Sequence, residues 1–344
     1  MEKFISLLLV LTLMLGLCAC GTAGSAEPTA GENQVTDGAG QILDIPAEPE
    51  KATIASAYAV AVPFIEALGL GERVLAINVK SNFWKEADPF LAEAGSVGRG
   101  TVDLEALASA GPSVLIHRSN DPETIEGARR INIPVLCITV EDMEDITDTL
   151  TMMGRYFGAE ARAAEVIGWM NGKFQMIDEI VAKIPREQRK TVLVLGGELG
   201  RIAADDMLQA WMAEKAGGIY VAVNTADNRS WVNVGVEQIF SWDPQVIFAT
   251  SSTPLEYTIP ELMEDNAWSA MAAVQTEQLY QIPAKLDSWD IPGVSCVLGT
   301  MYMLHRMYPE HFSREQLEQE VEAYYTFMFG RTFEADYLGY DLSR

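Results

Sequence analysis

The chain has 344 residues, of which 49% are hydrophobic, and its formal net charge is −25. This length and apolar content provide enough material for two lobes, each with its own core. The strong negative charge argues against nucleic acid as a partner, because binding to phosphates requires a basic surface. It suits a soluble, exported protein instead.

The N-terminus has the pattern of a lipoprotein signal peptide, which we assign to residues 1–19. The apolar run Phe4–Leu17 is shorter than the roughly 20 residues that a membrane-spanning helix needs. It leads into Ala19, which is small enough to admit a peptidase, and then into Cys20, the predicted site of lipid attachment. An ordinary secretory signal with two incidental cysteines is the alternative. Residues 20–40 follow as lipidated cysteine and flexible linker, because they are small and polar.

Strand-like and helix-like segments alternate beyond the linker, which predicts parallel sheets covered by helices. We assign residues 41–142 to an N-terminal lobe, 190–312 to a C-terminal lobe and 313–344 to a C-terminal helical extension. Apolar residues at helical spacing predict one long helix over 143–185, which we assign as the connecting helix, although Gly154 and Gly158 near its start could break it. The predicted strands are Ala52–Ala55, Val74–Asn78, Val114–His117, Val135–Thr139, Thr191–Leu195, Val246–Thr250 and Leu279–Ile282.

The residues that most often carry chemistry do not form a recognisable catalytic or metal-binding pattern. Cys137 and Cys296 lie in apolar surroundings, so we predict two buried thiols and no disulfide framework. The three histidines lack zinc-site spacing, and no Gly-x-Ser-x-Gly nucleophile elbow occurs. An exported metal-dependent α/β enzyme is the alternative class, but it would need such a group of residues. We therefore expect no enzymatic activity, no cofactor and no resident metal.

One helix–strand unit occurs twice in the sequence. Val-Asp-Leu-Glu105 is followed by Pro112 and an apolar strand, and Val-Gly-Val-Glu237 is followed by Pro244 and another. The spacings from glutamate to proline and from proline to strand are the same in both units. The repeat predicts two similar lobes. The helix dipole also favours an acidic residue in a first turn, which would explain both glutamates without a shared function.

Taken with other segments in matching order, this repeat makes the chain resemble the class III solute-binding proteins of ABC importers. That group includes the siderophore-, heme- and cobalamin-binding proteins. The resemblance implies an α/β fold with two Rossmann-like lobes, each with a central parallel sheet, joined by one long rigid helix. It also implies a ligand held between the lobes. The segments that carry the resemblance are Ala52–Ser56, Phe64–Val74, Ala216–Ala222, Ser288–Gly293 and Leu304–Glu310.

The resemblance further implies a role for particular residues. Glu105 and Glu237 would dock onto a permease dimer served by its ATPase, and Arg99 and Trp231, six positions earlier, would reach the cleft. The protein would be a monomer, tethered by its lipid to the extracytoplasmic face of the cell membrane. Residues at or near the ends of predicted strands complete the expected ligand-binding set, because ligands bind beyond the carboxyl ends of parallel strands. They are Tyr58, Trp84, His117, Arg118, Arg201 and Trp289.

Several alternatives stay open at this point. Lobe packing would also explain the aromatic residues, and His117 is either a structural histidine or, like Tyr58, a ligand to a bound metal. The arginines favour a ligand with anionic groups, such as an iron–siderophore, heme or cobalamin-like chelate. A molybdate- or tungstate-type oxyanion is the alternative ligand within the same family.

Overall fold

The structure is a computed structural model, and it describes residues 30–78, 84–85, 88–98, 101–227, 229–284 and 287–330. The predicted signal peptide, Cys20 and the first part of the linker lie outside the described residues, as does Arg99. From Asn33 onward the described residues form one compact unit, which contains all of the described sheets. No helix among the described residues is long and apolar enough to cross a membrane.

The described chain opens with an antiparallel hairpin formed by β1 (Gln34–Thr36) and β2 (Ile42–Asp44). Asp37, in the turn, is buried and fixes the hairpin to the lobe. Its carboxylate accepts two hydrogen bonds of 2.9 Å from N–H groups of its own turn and one of 3.0 Å from the backbone of Cys137. The predicted flexible linker, residues 20–40, therefore wrongly includes β1 and the turn that follows it. Composition alone does not reveal that one buried carboxylate orders a polar segment.

The N-terminal lobe is built on a parallel sheet. Its strands are β3 (Ile54–Ser56), β4 (Val74–Ile77), β5 (Gly95–Ser96), β6 (Val114–Arg118) and β7 (Val135–Ile138), and its helices are α1 (Ala61–Ala67), α2 (Leu104–Ala110) and α3 (Pro122–Arg130). The strand order is β5-β4-β3-β6-β7, and every described pairing is parallel. Strands β6 and β7 are buried on both faces except at Arg118, as expected for a sheet covered on both sides.

The segment that joins the lobes consists of two helices, α4 (Met143–Phe157) and α5 (Glu160–Val181). Gly158 separates them: it adopts the left-handed conformation, with φ of 68°, and its N–H donates to the carbonyl oxygen of Gly154. The single connecting helix predicted over 143–185 is therefore broken near its start. The two helices pack closely, because a side-chain carbon on Gly154 would lie 2.7 Å from the Cβ atom of Ala163.

The C-terminal lobe has a mixed sheet. Its strands are β8 (Thr191–Leu195), β9 (Arg201–Ala203), β10 (Ile219–Tyr220), β11 (Trp231–Asn233), β12 (Val246–Ala249) and β13 (Leu279–Gln281). Its helices are α6 (Leu208–Lys215), α7 (Val236–Trp242), α8 (Ile259–Glu264), α9 (Ala272–Gln275), α10 (Cys296–Met307) and the C-terminal α11 (Arg314–Phe329). The strand order is β11-β9-β8-β12-β13, and β10 also pairs with β8. The parallel centre confirms the predicted class, while β9 and β11 add an antiparallel edge.

The C-terminal helix α11 packs against both lobes, since it contacts α10 of the C-terminal lobe and α1 of the N-terminal lobe. Arg162 on α5 strengthens this junction. Its guanidinium donates to the carbonyl oxygens of Ala67 on α1, at 2.8 Å, and of Phe327 on α11, at 2.7 Å. The lobes are therefore joined by α11 as well as by the connecting helices, which favours a stiff hinge.

Candidate ligand-binding site

Polar side chains gather where three strands of the N-terminal lobe end. Tyr58 follows β3, Arg118 is the last residue of β6 and Glu141 follows β7. The carboxyl ends of parallel strands share one edge of the sheet, where α/β proteins bind their ligands. Burial raises the pKa of Tyr58 to about 12, the charge of Glu141 adds to this shift, and Arg118 opposes it. The phenol therefore stays protonated at neutral pH and is available as a hydrogen-bond donor.

Arg229 of the C-terminal lobe reaches this edge of the N-terminal lobe. Its guanidinium lies 2.8 Å from the Asp142 carboxylate and 3.3 Å from that of Asp145, at the start of α4. Burial raises the pKa of Glu141, the Asp145 charge adds to the shift, and Arg229 counteracts it. These charges place the first turn of α4 at the boundary between the lobes.

His117 does not face open space, because its side chain is buried beside Asp121, the residue that caps α3. Its Nε2 atom lies 3.0 Å from the Asp121 carboxylate, and the residue is only 3% exposed. Burial lowers the pKa of His117, although the hydrogen bond with Asp121 opposes the shift. Within the described parts of the chain, no group of three or more His, Cys, Asp and Glu side chains is arranged to hold a metal ion. The sequence left open whether His117 is a structural histidine or a metal ligand. This geometry favours a neutral structural histidine.

Arg201 and Trp231 come together on neighbouring strands of the C-terminal lobe. Strands β9 and β11 pair so that both side chains flank Gly196, where a Cβ atom would lie 3.0 Å from the indole ring. A side chain at position 196 would therefore displace the indole or the arginine. Both residues are partly exposed, and the Arg201 guanidinium lies 3.7 Å from the Glu198 carboxylate. A flat apolar face and a cation thus lie side by side at the end of β8.

A cavity of about 680 Å³ lies beside this region, at the carboxyl ends of β12 and β13. The residues that follow β12, from Ser251 to Leu255, form one wall, and those that follow β13, from Ile282 to Ala284, form another. Tyr302 of α10 contributes to its lining. Sites for organic ligands occupy roughly 300–1,000 Å³, so this cavity has a suitable size.

The other expected tryptophans pack inside the protein. Trp84 is 2% exposed and lies 5.5 Å from the ring of Phe329, measured between centroids. Trp289 is 1% exposed and its indole N–H donates to the Tyr325 hydroxyl at 3.3 Å. Because both indole rings are buried, neither has a free surface for a ligand. The structure therefore does not support the predicted ligand contacts of Trp84 and Trp289.

The two glutamates of the repeated unit occupy equivalent and exposed positions. Glu105 and Glu237 are each the second residue of their helices, α2 and α7. The buried strands β6 and β12 follow at the spacing that the sequence predicted. The two lobes therefore present matching carboxylates, as the repeat implied.

Sequence reasoning missed Glu141 and Arg229. Glu141 follows β7 so closely that the strand-end rule would have found it, had it been applied to that strand. Arg229 gives no such signal. It lies in the loop before β11 in a left-handed conformation, with φ of 55°, and only the packing of the lobes brings it to α4.

A family model for the periplasmic binding proteins matches residues 54–286, which is most of the chain. The chain belongs to the periplasmic binding protein family. Members of this family are substrate-binding proteins of transport systems and are not enzymes. The chain is accordingly an extracytoplasmic substrate-binding protein of an ABC transporter.

Individual relatives agree with this placement. The molybdate-binding protein MolA of Haemophilus influenzae is 25% identical over 261 residues, which cover 69% of this chain and 72% of MolA. The uncharacterized ABC transporter substrate-binding lipoprotein YvrC of Bacillus subtilis is 22% identical over 313 residues, 86% of this chain and 94% of YvrC. A periplasmic solute-binding protein from Veillonella parvula superposes with a TM-score of 0.73 at 22% identity, over 89% of this chain and 95% of that protein.

Proposed function

We propose that the chain is the solute-binding lipoprotein of an ABC importer that captures a metal chelate between its lobes and delivers it to the permease. The observation that carries the proposal is the ion pair of 2.8 Å between Arg229 of the C-terminal lobe and Asp142, which follows β7 of the N-terminal lobe. Membership of the periplasmic binding protein family supports capture without chemical conversion.

The proposed ligand contacts come from both lobes. Tyr58 and Arg118 contribute a phenol donor and a guanidinium from the N-terminal lobe, and Arg201 and Trp231 contribute a cation and an indole from the other. The Arg118 side chain is 47% exposed, and its only described ion pair, with Asp121, is 3.4 Å long. Its guanidinium is therefore accessible to a ligand. Such groups bind the oxygen atoms and flat faces of an organic ligand. Arg99 stays part of the proposal on the sequence alone.

Delivery would use the paired glutamates and the lipid. Glu105 and Glu237 are exposed at equivalent points of two similar lobes, which suits a permease made of two similar halves. Cys20 would hold the protein at the membrane and raise its local concentration near the permease. The name of the relative YvrC, which is called a lipoprotein, supports the anchor.

A calorimetric titration of the purified protein against a panel of ligands tests this function. The panel contains a ferric trihydroxamate, heme, a corrinoid and sodium molybdate. We expect saturable binding of one chelate at a 1:1 ratio, with the same molecule recovered unchanged after the protein is denatured. Chemical conversion of a ligand, or binding of no chelate, would contradict the proposal.

Oxyanion binding is the second candidate, and the name of MolA is what favours it. Arg118 and Arg201 would then bind the oxyanion directly. Competition separates the two functions: molybdate displaces the bound chelate at micromolar concentration only if an oxyanion is the natural ligand.

A further inference from the structure

We propose that the cavity beside β12 and β13 holds the organic part of the ligand and selects molecules that present N–H or O–H groups to one wall. This proposal rests on the proposed function, because it names the class of molecule captured. It disfavours a bare tetraoxo anion at that wall.

A buried carboxylate fixes the direction of the hydrogen bonds along that wall. Asp290 is fully buried, with 0% exposure. Its oxygen atoms accept from the backbone N–H of Ser251 at 3.1 Å and from the hydroxyl groups of Thr250 and Ser288, the last at 2.6 Å. Thr250 and Ser288 each have one hydroxyl proton, so both protons are used inside the protein.

The hydroxyl protons of the cavity wall are used in the same way. The Ser251 hydroxyl lies 2.8 Å from the Asp290 carboxylate, 2.7 Å from the Ser288 oxygen and 3.2 Å from the carbonyl oxygen of Pro283. Ser288 has already given its proton to Asp290, so Ser251 finds only acceptors around it. The Ser252 hydroxyl lies 2.7 Å from the Thr250 oxygen, whose proton is likewise committed to Asp290.

Both serines therefore donate inward and have only oxygen lone pairs left for the cavity that they line. A wall of acceptors binds a molecule that brings donors, such as amide N–H or hydroxyl groups. A tetraoxo anion offers only acceptors, so it would face these lone pairs without a hydrogen bond. Such an occupant would cover these lone pairs without giving them a hydrogen-bond donor, which makes it unfavourable.

The rest of the lining suits an organic ligand. Leu255, Ile259 and Leu279 provide apolar surface, and Tyr280 and Tyr302 provide aromatic surface. The Arg306 guanidinium lies 4.7 Å and 5.1 Å from the two tyrosine ring centres, but Arg306 itself is not among the residues that line the cavity. None of the described lining residues carries a charge. A volume of about 680 Å³ exceeds what a five-atom anion fills, whereas it accommodates a chelator backbone.

The test uses one variant that fills the cavity and another that removes one acceptor. The two probes are sodium molybdate and ferrichrome, a neutral ferric trihydroxamate with peptide N–H groups. Ala284→Trp places an indole at an exposed position of the lining, and Ala164→Trp makes the same change on the exposed face of α5 as a control. Ser252→Ala removes one acceptor without adding bulk. Circular dichroism melts establish that each variant is folded.

We expect Ala284→Trp to weaken ferrichrome binding at least about ten-fold and Ser252→Ala about five-fold, with the control unchanged. Ferrichrome binding that is insensitive to both variants would overturn the subsite and leave chelate capture intact. Molybdate binding that Ala284→Trp weakens would also overturn the subsite. Failure of the wild-type protein to bind any chelate would contradict the proposed function, and the subsite with it.

Discussion

Glu105 and Glu237 are each the second residue of a seven-residue helix, and each helix ends in a left-handed residue followed by proline. Gly111 ends the first helix with φ of 58°, and Asp243 ends the second with φ of 43°. A buried parallel strand follows in both cases. The sequence repeat is therefore a structural repeat, and it presents one exposed carboxylate from each lobe.

Charge reversal at these carboxylates should abolish transport while ligand binding stays intact. We expect Glu105→Lys and Glu237→Lys each to lower uptake at least about ten-fold. The family resemblance implies that these glutamates dock onto arginines of the permease, so each variant would set like charges together in the proposed complex. Uptake of labelled ligand by whole cells and calorimetric titration of the purified variants measure the two properties separately. Glu126→Lys, on the exposed face of α3, is the matched control. Weakened ligand binding would instead place these glutamates in the cleft.

The ion pair between Arg229 and the start of α4 should restrain that helix. Because the Arg229 side chain is 45% exposed, the contribution is less than about 1 kcal/mol. We expect Arg229→Gln to speed amide hydrogen exchange in the first turn of α4 about three-fold, with little effect elsewhere. Salt at 1 M should have the same effect on the wild-type protein by screening the pair.

Arg314→Gln is the control for this experiment, because Arg314 pairs with Glu318 inside one helix, at 2.8 Å. It should leave exchange in α4 unchanged. Equal exchange in the wild-type protein and in Arg229→Gln would show that the ion pair does not hold the lobes together.

Asp287 should make the protein less stable as the pH rises. Burial raises the pKa of its carboxyl group from 3.8 to about 7, the hydrogen bond with Ser295 opposes the shift and the charge of Asp290 adds to it. Between these pH values the folded protein keeps a proton that the unfolded chain has lost, so stability falls as the pH rises through this interval. Each unit of pKa difference corresponds to about 1.4 kcal/mol.

We therefore expect Asp287→Asn to raise the melting temperature at pH 8 by several degrees and to have little effect near pH 4, where both states are protonated. Thermal unfolding measured from pH 4 to pH 8 gives the two profiles. Asp148→Asn, at an exposed position of α4, should follow the wild-type profile. If Asp287→Asn lost as much stability between pH 4 and pH 8 as the wild-type protein does, other groups would be responsible for the pH dependence.

Asp37 should anchor the N-terminal hairpin. Asp37→Ala removes a buried carboxylate that accepts from three backbone N–H groups, including that of Cys137, and should lower the free energy of unfolding by about 1–3 kcal/mol. Asp44→Ala removes an exposed carboxylate whose partner is the Gln34 amide, and should change the free energy of unfolding by less than about 0.5 kcal/mol. Chemical denaturation measures both values, and equal effects would refute the anchoring role.

Local signals predicted much of the fold. The sequence also predicts helices over Leu104–Ala110 and Pro122–Arg130, and these are the bounds of α2 and α3; strand β8 likewise begins and ends at the predicted residues. Asp103 and Asp121 cap the two helices, Gly111 ends the first and Pro122 begins the second. The burial of Cys137 and Cys296 is confirmed as well. In each case the information lies within a few residues of the element that it determines.

Other features depend on contacts between distant residues. Strands β9 and β11 have three residues each, which is too short for a periodic pattern, and they pair with one another although α6 and β10 lie between them in the chain. Trp84 resembles a loop residue in sequence, but its ring is buried against Phe329, 245 positions later in the chain. The Arg229 bridge arises in the same way. The candidate site was therefore less predictable than the fold, because it forms where the two lobes meet.

The central claim is that the protein captures an organic metal chelate, and native mass spectrometry of the protein purified from its own host tests it most directly. Metal analysis of the same sample identifies the bound element. The account predicts a 1:1 complex whose added mass equals an organic molecule plus one metal ion, released intact on denaturation. A complex that contains only a tetraoxo anion, or that releases a chemically altered molecule, would contradict it.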